Sequence, residues 1–147
     1  MRIHGIGVDL ADARRVQRLL DRYGARFLAQ AFHPAEARAL AALPAARAGP
    51  FLASRWAAKE ALHKALGTQR LLFPDIEVVR GGGSGPPQLR LHGAAGAYQA
   101  AQGLALHLTL SHEQHMAVAL VVATAGEGSS PPPAEGAAHG KKETTYK

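Results

Sequence analysis

Cysteine is absent from the 147 residues, which excludes disulfides, thiolate metal sites and a cysteine nucleophile. No run of about eighteen apolar residues occurs, so no segment is expected to span a bilayer. Met1 leads straight into Arg2-Ile3-His4-Gly5-Ile6-Gly7-Val8-Asp9, with no basic start, long apolar core or small-residue cleavage site. The expected compartment is therefore the cytoplasm. The histidines are scattered, and none forms the i,i+4 pair of a zinc helix, so no zinc site is expected. Acidic groups are the scarcer charge, 11 against 17 Lys and Arg, for a formal net charge of +6.

What is present is globular: 47% apolar and 19% charged residues, in a chain long enough for one domain with a buried core. Residues 126–147 (GEGSSPPPAEGAAHGKKETTYK) are rich in Gly, Pro, Ser and charge with a single aromatic. They are expected to form a disordered tail outside a domain of residues 1–125. In the tail Lys141, Lys142 and Lys147 balance Glu127, Glu135 and Glu143, so the positive excess belongs to the domain. Such a domain attracts anions: nucleic acid, a phosphorylated cofactor or an acidic protein.

Alternation over residues 2–8 predicts a first strand ending at Asp9, and Asp12 is placed to cap a helix over residues 13–29. On that helix Val16, Leu20, Tyr23 and Phe27 fall within roughly 60° of arc, and Arg15, Arg18, Arg22 and Arg26 within roughly 80° beside them. Pro34 opens a short helix to about Leu43, and Pro50 a longer one through Leu66, stopped by Gly67. Strand patterns follow at residues 75–80, 88–92, 104–111 and 116–123, with a small-residue helix at 94–102 and a glycine-rich loop from Gly81 to Pro87. This order is α+β with an antiparallel sheet, and it is not a doubly wound nucleotide fold.

Three segments carry charge in a way a core does not require. In Gly5-Ile6-Gly7-Val8-Asp9-Leu10, alternate glycines permit close backbone approach and Asp9 follows them as a ligand-facing carboxylate; the plainer reading makes Asp9 a helix cap. In Arg55-Trp56-Ala57-Ala58-Lys59-Glu60-Ala61-Leu62-His63-Lys64, the residues Trp56, Glu60, His63 and Lys64 share a helix face. A carboxylate beside an ammonium suits a metal-bound diphosphate, although Glu60 and Lys64 also make an ordinary i,i+4 pair. Arg55 and Lys59 form a like-charged i,i+4 pair that an anion would relieve. In Leu108-Thr109-Leu110-Ser111-His112-Glu113, Ser111 and His112 point to opposite strand faces and so are not a nucleophile and its base. A turn histidine such as His112 is commonly a structural hydrogen-bonder.

Taken in order, GIGVDL, FLASRWAAKEALHKALGT and LTLSHEQHMAVALVV resemble the holo-acyl-carrier-protein synthase type of 4′-phosphopantetheinyl transferase. The resemblance covers residues 2–123 and includes FHPAE at 32–36, DIEVV at 75–79 and Gly85-x-Pro87. It implies transfer of the phosphopantetheine arm of coenzyme A to a serine of apo acyl carrier protein, releasing adenosine 3′,5′-bisphosphate. It implies further that Asp9 and Glu60 hold Mg²⁺ on the diphosphate, with Glu60 or a metal-bound water taking the serine proton. Lys59 or Lys64 would assist the leaving group, both as cofactor contacts. Gly85 and Pro87 would lie near the adenine, and Arg15, Arg18, Arg22 and Arg26 would face the acidic carrier protein. The family assembles as homotrimers with sites between subunits, which would let His112 reach a neighbour's phosphate site.

Two departures stand out. After Gly67-Thr68 the family usually continues with glycines, whereas this chain has Gln69-Arg70-Leu71-Leu72-Phe73-Pro74, and the tail extends past the common family end. A basic nucleic-acid-binding module would explain the arginine helix, but it lacks interleaved aromatics and leaves Asp9 and Glu60 unused. A catalytically silent homologue would not need Asp9, Glu60 and Lys64 together. Neither nucleic acid nor membrane is expected as a partner.

Overall fold

The computed structural model describes residues 1–68, 70–80 and 84–126. Strand β1 (Arg2–Asp12) leads into helix α1 (Ala13–Ala31) and helix α2 (Pro34–Ala41). A 3₁₀ turn, Ala45–Arg47, precedes helix α3 (Ala48–Leu66), and a second, Phe73–Asp75, precedes strands β2 (Ile76–Arg80) and β3 (Pro87–Leu91). Helix α4 (Gly93–Gln102) and strands β4 (Leu104–Glu113) and β5 (Met116–Ala125) complete the order. The strands form a three-stranded sheet in the order β1-β5-β4 and a separate β2-β3 hairpin, all antiparallel. The α+β reading is thus the observed one. No helix among the described residues is long and apolar enough to cross a membrane.

Helix α3 is the centre of the molecule. Ala57, Ala58, Ala61, Leu62 and Ala65 are almost wholly buried, opposite Ala117, Ala119, Val121 and Ala123 of β5. Small residues on both sides let helix and sheet approach closely. Gly5 and Gly7 carry this to its limit, since a Cβ at either would overlap the carbonyl oxygens of Ala65 and Ala61. The other flank of α3 packs on aromatics: Phe27–Phe32 centroids are 5.5 Å apart, Phe27–Trp56 6.0 Å and Trp56–Phe73 5.3 Å.

Several sequence expectations change. β1 does not end at Asp9 but pairs onward to Asp12, opposite Met116, so Asp9 is a mid-strand residue and Asp12 is the α1 cap, accepting from the Arg14 N–H. α1 is not one uninterrupted helix: Gly24 sits at φ 51°, ψ −130°. Tyr23, just before this kink, is 43% exposed, while Val16 and Phe27 are buried. α3 starts at Ala48, ahead of Pro50, because the first-turn N–H groups of a helix have no intrahelical acceptor and a proline there forfeits nothing. α2 stops at Ala41, short of Leu43. The expected tail, apart from Gly126, and residues Gly81–Gly83 of the glycine-rich loop lie outside the described residues.

Lys59 is the largest revision. It was expected at the cofactor, but it is wholly buried. Its ammonium donates to Glu36 Oε2 at 2.6 Å, to the Ala31 carbonyl at 3.0 Å and to the Phe73 carbonyl at 3.1 Å. All three of its hydrogens are therefore committed inside the fold. Glu36 in turn accepts from the backbone N–H of Val78 and of His33. Burial pushes the Lys59 pKa down, and the Glu36 carboxylate opposes that fall. The anion that relieves the Arg55–Lys59 repulsion is an internal one.

Candidate functional site

β1 and α3 run in opposite directions where Gly5 meets Ala65 and Gly7 meets Ala61. Two strand residues advance about 6.6 Å and four helix residues about 6 Å, so Asp9 comes level with the turn that carries Glu60. Helical side chains lean toward the N-terminus, and Lys64 reaches back accordingly. Its Nζ donates to Asp9 Oδ1 and to the Val8 carbonyl, each at 2.9 Å. Asp9 is mostly buried and Lys64 is half exposed. The plain i,i+4 pairing of Glu60 with Lys64 is not formed. Among the described residues Glu60 has no hydrogen-bond or ion-pair partner, which leaves a partly exposed carboxylate beside a carboxylate–ammonium pair. Both acids are hard oxygen donors of the kind Mg²⁺ takes one or two at a time, together with phosphate and water.

Gly85, Pro87 and His112 lie elsewhere, on a cleft of about 730 Å³ between α3, the β2-β3 hairpin and β4. Arg47, Arg55 and Arg80 also line it, beside apolar Phe51 and Leu110. Arg55 packs its guanidinium 3.7 Å over the Phe51 ring and donates to Ser54 Oγ at 2.9 Å. Burial is the main cause of its pKa falling to about 10, with Glu36 opposing and Arg80 adding to the fall. Its Nε is buried and has no partner among the described residues. Sequence reading missed Arg47 and Arg80, which stand on a 3₁₀ turn and a strand end and share no local pattern with α3.

One chain thus divides the expected site residues into two groups. Arg55 and Glu60 are five residues apart, roughly 140° around the helix. Asp9 and His112 stand on opposite edge strands, with β5 between them.

The outer face of the sheet bears on this division. Ile6, Val8 and Leu10 are 58%, 51% and 62% exposed. In the strand register they pair with Val122, Leu120 and Val118 on the same face. The result is a continuous apolar surface of the kind that marks an association site. On α1, Arg15, Arg18, Arg22 and Arg26 are all exposed, but the Gly24 kink separates Arg26 from the arc of the other three. Arg14, which sequence reading passed over, holds the Asp12 carboxylate at 2.8 Å and keeps it far below the usual carboxylate range through hydrogen bonds and charge.

Comparison with known proteins yields a consistent likeness. A sequence model described as the 4′-phosphopantetheinyl transferase superfamily matches residues 5–120. A holo-[acyl-carrier-protein] synthase of Methylobacterium sp. (strain 4-46) is 47% identical over 128 residues, covering 82% of this chain and 93% of the relative. The structure of holo-[acyl-carrier-protein] synthase from Neisseria meningitidis superposes with a TM-score of 0.76 at 30% identity, over 84% of this chain and 99% of that one. A Bacillus anthracis holo-(acyl-carrier-protein) synthase, in complex with CoA (3′,5′-ADP), gives a TM-score of 0.70 at 32% identity, over 84% and 98% of the two chains.

Proposed function

Since the chain belongs to the 4′-phosphopantetheinyl transferase superfamily, we propose that it is a holo-acyl-carrier-protein synthase, transferring phosphopantetheine from coenzyme A to a serine of apo acyl carrier protein. The observation that carries this reading is the Asp9–Lys64 pair, with Glu60 one helical turn before Lys64 and without a partner among the described residues.

The serine oxygen attacks the phosphorus that bears the pantetheine arm, a new P–O bond forms, and the bond from that phosphorus to the bridging oxygen breaks, so the bridging oxygen leaves with the nucleotide phosphate. The serine proton leaves to a carboxylate oxygen of Glu60 or to water. The departing electrons reside on adenosine 3′,5′-bisphosphate. Mg²⁺, when bound by Asp9 and Glu60, neutralises the diphosphate charge. Lys64 exchanges Asp9 for a phosphate oxygen, so its ammonium goes from one anion to another with little reorganisation. Arg47, Arg55 and Arg80 take the nucleotide's anionic groups, while Gly85 and Pro87 border its base. The arginines of α1 receive the acidic carrier protein.

Active sites lie between the subunits of a homotrimer. This is supported by the division of Asp9, Glu60 and Lys64 from His112 and the arginine cleft, and by the apolar face of Ile6, Val8 and Leu10. Residues 1–125 are the catalytic domain, and the cytoplasm is its compartment. Apo acyl carrier protein incubated with coenzyme A, Mg²⁺ and this protein gains the mass of phosphopantetheine on one serine. An unchanged mass under conditions in which a known synthase modifies the same carrier overturns the reading.

A further inference from the structure

His33, Glu77 and His92 come from three separate elements: the N-cap of α2, strand β2 and the N-cap of α4. Their donor atoms all lie within 4.8 Å of one another. Glu77 Oε2 is 2.7 Å from His92 Nε2 and 3.9 Å from His33 Nδ1. The two rings stack with centroids 4.2 Å apart and planes 17° from parallel. Side-chain exposure rises from 10% at Glu77 through 19% at His33 to 35% at His92, so a carboxylate forms the floor and two imidazoles the mouth.

Two imidazole nitrogens and one carboxylate oxygen suit borderline first-row ions, and they suit Mg²⁺ poorly because it prefers oxygen. We propose that His33, Glu77 and His92 bind a transition metal ion of the Zn²⁺ class, with water completing its shell, at a place separate from Asp9 and Glu60. No local motif announces it, because the three residues meet only through the tertiary fold.

The geometry also sets its strength. Bonds of 2.0–2.2 Å put tetrahedral donors about 3.4 Å apart, so the His92–Glu77 pair opens and the His33–Glu77 pair closes, each by less than about 1 Å. Stacked rings hold their lone pairs in parallel planes, so the more exposed His92 ring has to turn. His33 Nδ1 has to release the Ala35 N–H that it caps at 3.1 Å. Arg90, 3.8 Å from Glu77 and 62% exposed, is free to swing away. These requirements and competition with protons point to an affinity weaker than that of a preformed structural site. An ion here ties the start of α2 to the hairpin whose Val78, Val79 and Arg80 wall the arginine cleft.

The test is titration of the untagged full chain with Co²⁺, read by visible absorption, and with Zn²⁺, read by calorimetry. One equivalent should saturate the protein and give the intense bands of four-coordinate cobalt. His92→Ala and His33→Ser should each bind at least about tenfold more weakly; serine retains the capping function, so α2 still has its start. Asp9→Asn and Glu60→Gln should bind as the wild type does. Because the readout is binding, the result stands apart from the transferase reading. Absence of uptake by the wild type, or wild-type affinity in His92→Ala, overturns the assignment, and His92→Ala decides alone should His33→Ser not fold.

Discussion

Lys64 and Asp9 are 55 positions apart in the chain, and their side chains meet at 2.9 Å. The contact exists because Gly5 and Gly7 let α3 rest on the β1 backbone, which sets the register between strand and helix. Glycine here works at a distance: it is the absence of two methyl groups that brings an ammonium to a carboxylate. Alanine at Gly7 would force the elements apart, and the pair would open with them.

Asp9→Ala and Glu60→Ala should each lower kcat by at least about a hundredfold, the scale on which a positioned acid, base or metal carboxylate acts. Neither side chain fills the core, so circular dichroism and melting temperature should stay near those of the wild type. Lys64→Met should lower kcat/KM for coenzyme A while retaining Mg²⁺ dependence. Near-wild-type transfer by the Asp9 or Glu60 variant at saturating Mg²⁺ removes the metal assignment.

The acid limb of stability offers a second measurement. Asp12 has its pKa held far below the ordinary 3.8, chiefly by hydrogen bonds from Arg14. A folded-state pKa below the unfolded one means that the unfolded chain binds more protons as pH drops. The contribution is therefore complete above about 3.8 and is lost as pH falls below it. Asp12→Ala should melt lower than the wild type near neutrality, and the gap should close in acid. A gap that stays constant from about pH 6 to pH 3 would show that the carboxylate charge does not hold the start of α1.

Charge reversal at Arg22 or Arg26 should raise KM for the carrier protein several-fold and leave KM for coenzyme A unchanged. Added salt should shrink the difference, since screening lengths fall to about 8 Å at physiological strength. Gly24 gives the two positions different standing: Arg22 shares an arc with Arg15 and Arg18, and Arg26 lies past the kink. Unchanged carrier KM in both variants excludes α1 as the docking helix.

Much of this was legible in the chain and some of it was not, for identifiable reasons. Alternation and caps revealed every long element, since β4 and β5 are amphipathic and Gly67 stops α3 in the left-handed conformation. The interior side of α3 was not legible. A central helix is apolar nearly all round, so no stripe tells which of two adjacent charged residues faces inward. Lys59 went into the core and Glu60 to the surface, and the decision lay with Glu36 and two distant carbonyls. The Gly24 break was hidden because an isolated glycine within a helical period reads as tolerated. Arg47 and Arg80 were hidden because a cleft gathers residues by tertiary proximity. The expectation at His112 named a residue and not the arginines that line the same cleft.

That division leads to the assembly experiment. Within one protomer His112 lines the arginine cleft, while Asp9 sits at the far edge strand, so the proposed intersubunit site predicts a second copy placed with its β1 edge toward the cleft. The apolar face of Ile6, Val8 and Leu10 is where copies would meet, and Val8→Glu should reduce the mass found by light scattering from trimer to monomer and abolish turnover. Asp9→Ala and His112→Ala proteins, each inactive alone, should recover part of the wild-type rate when mixed under conditions of verified subunit exchange. Recovery arises because mixed trimers contain some junctions at which an intact Asp9 faces an intact His112. If both residues served one site within a single chain, every subunit in the mixture would still lack one of them, and no rate would return. Zero recovery despite exchange, or a wild-type monomer that turns over at full rate, places the site within one protomer.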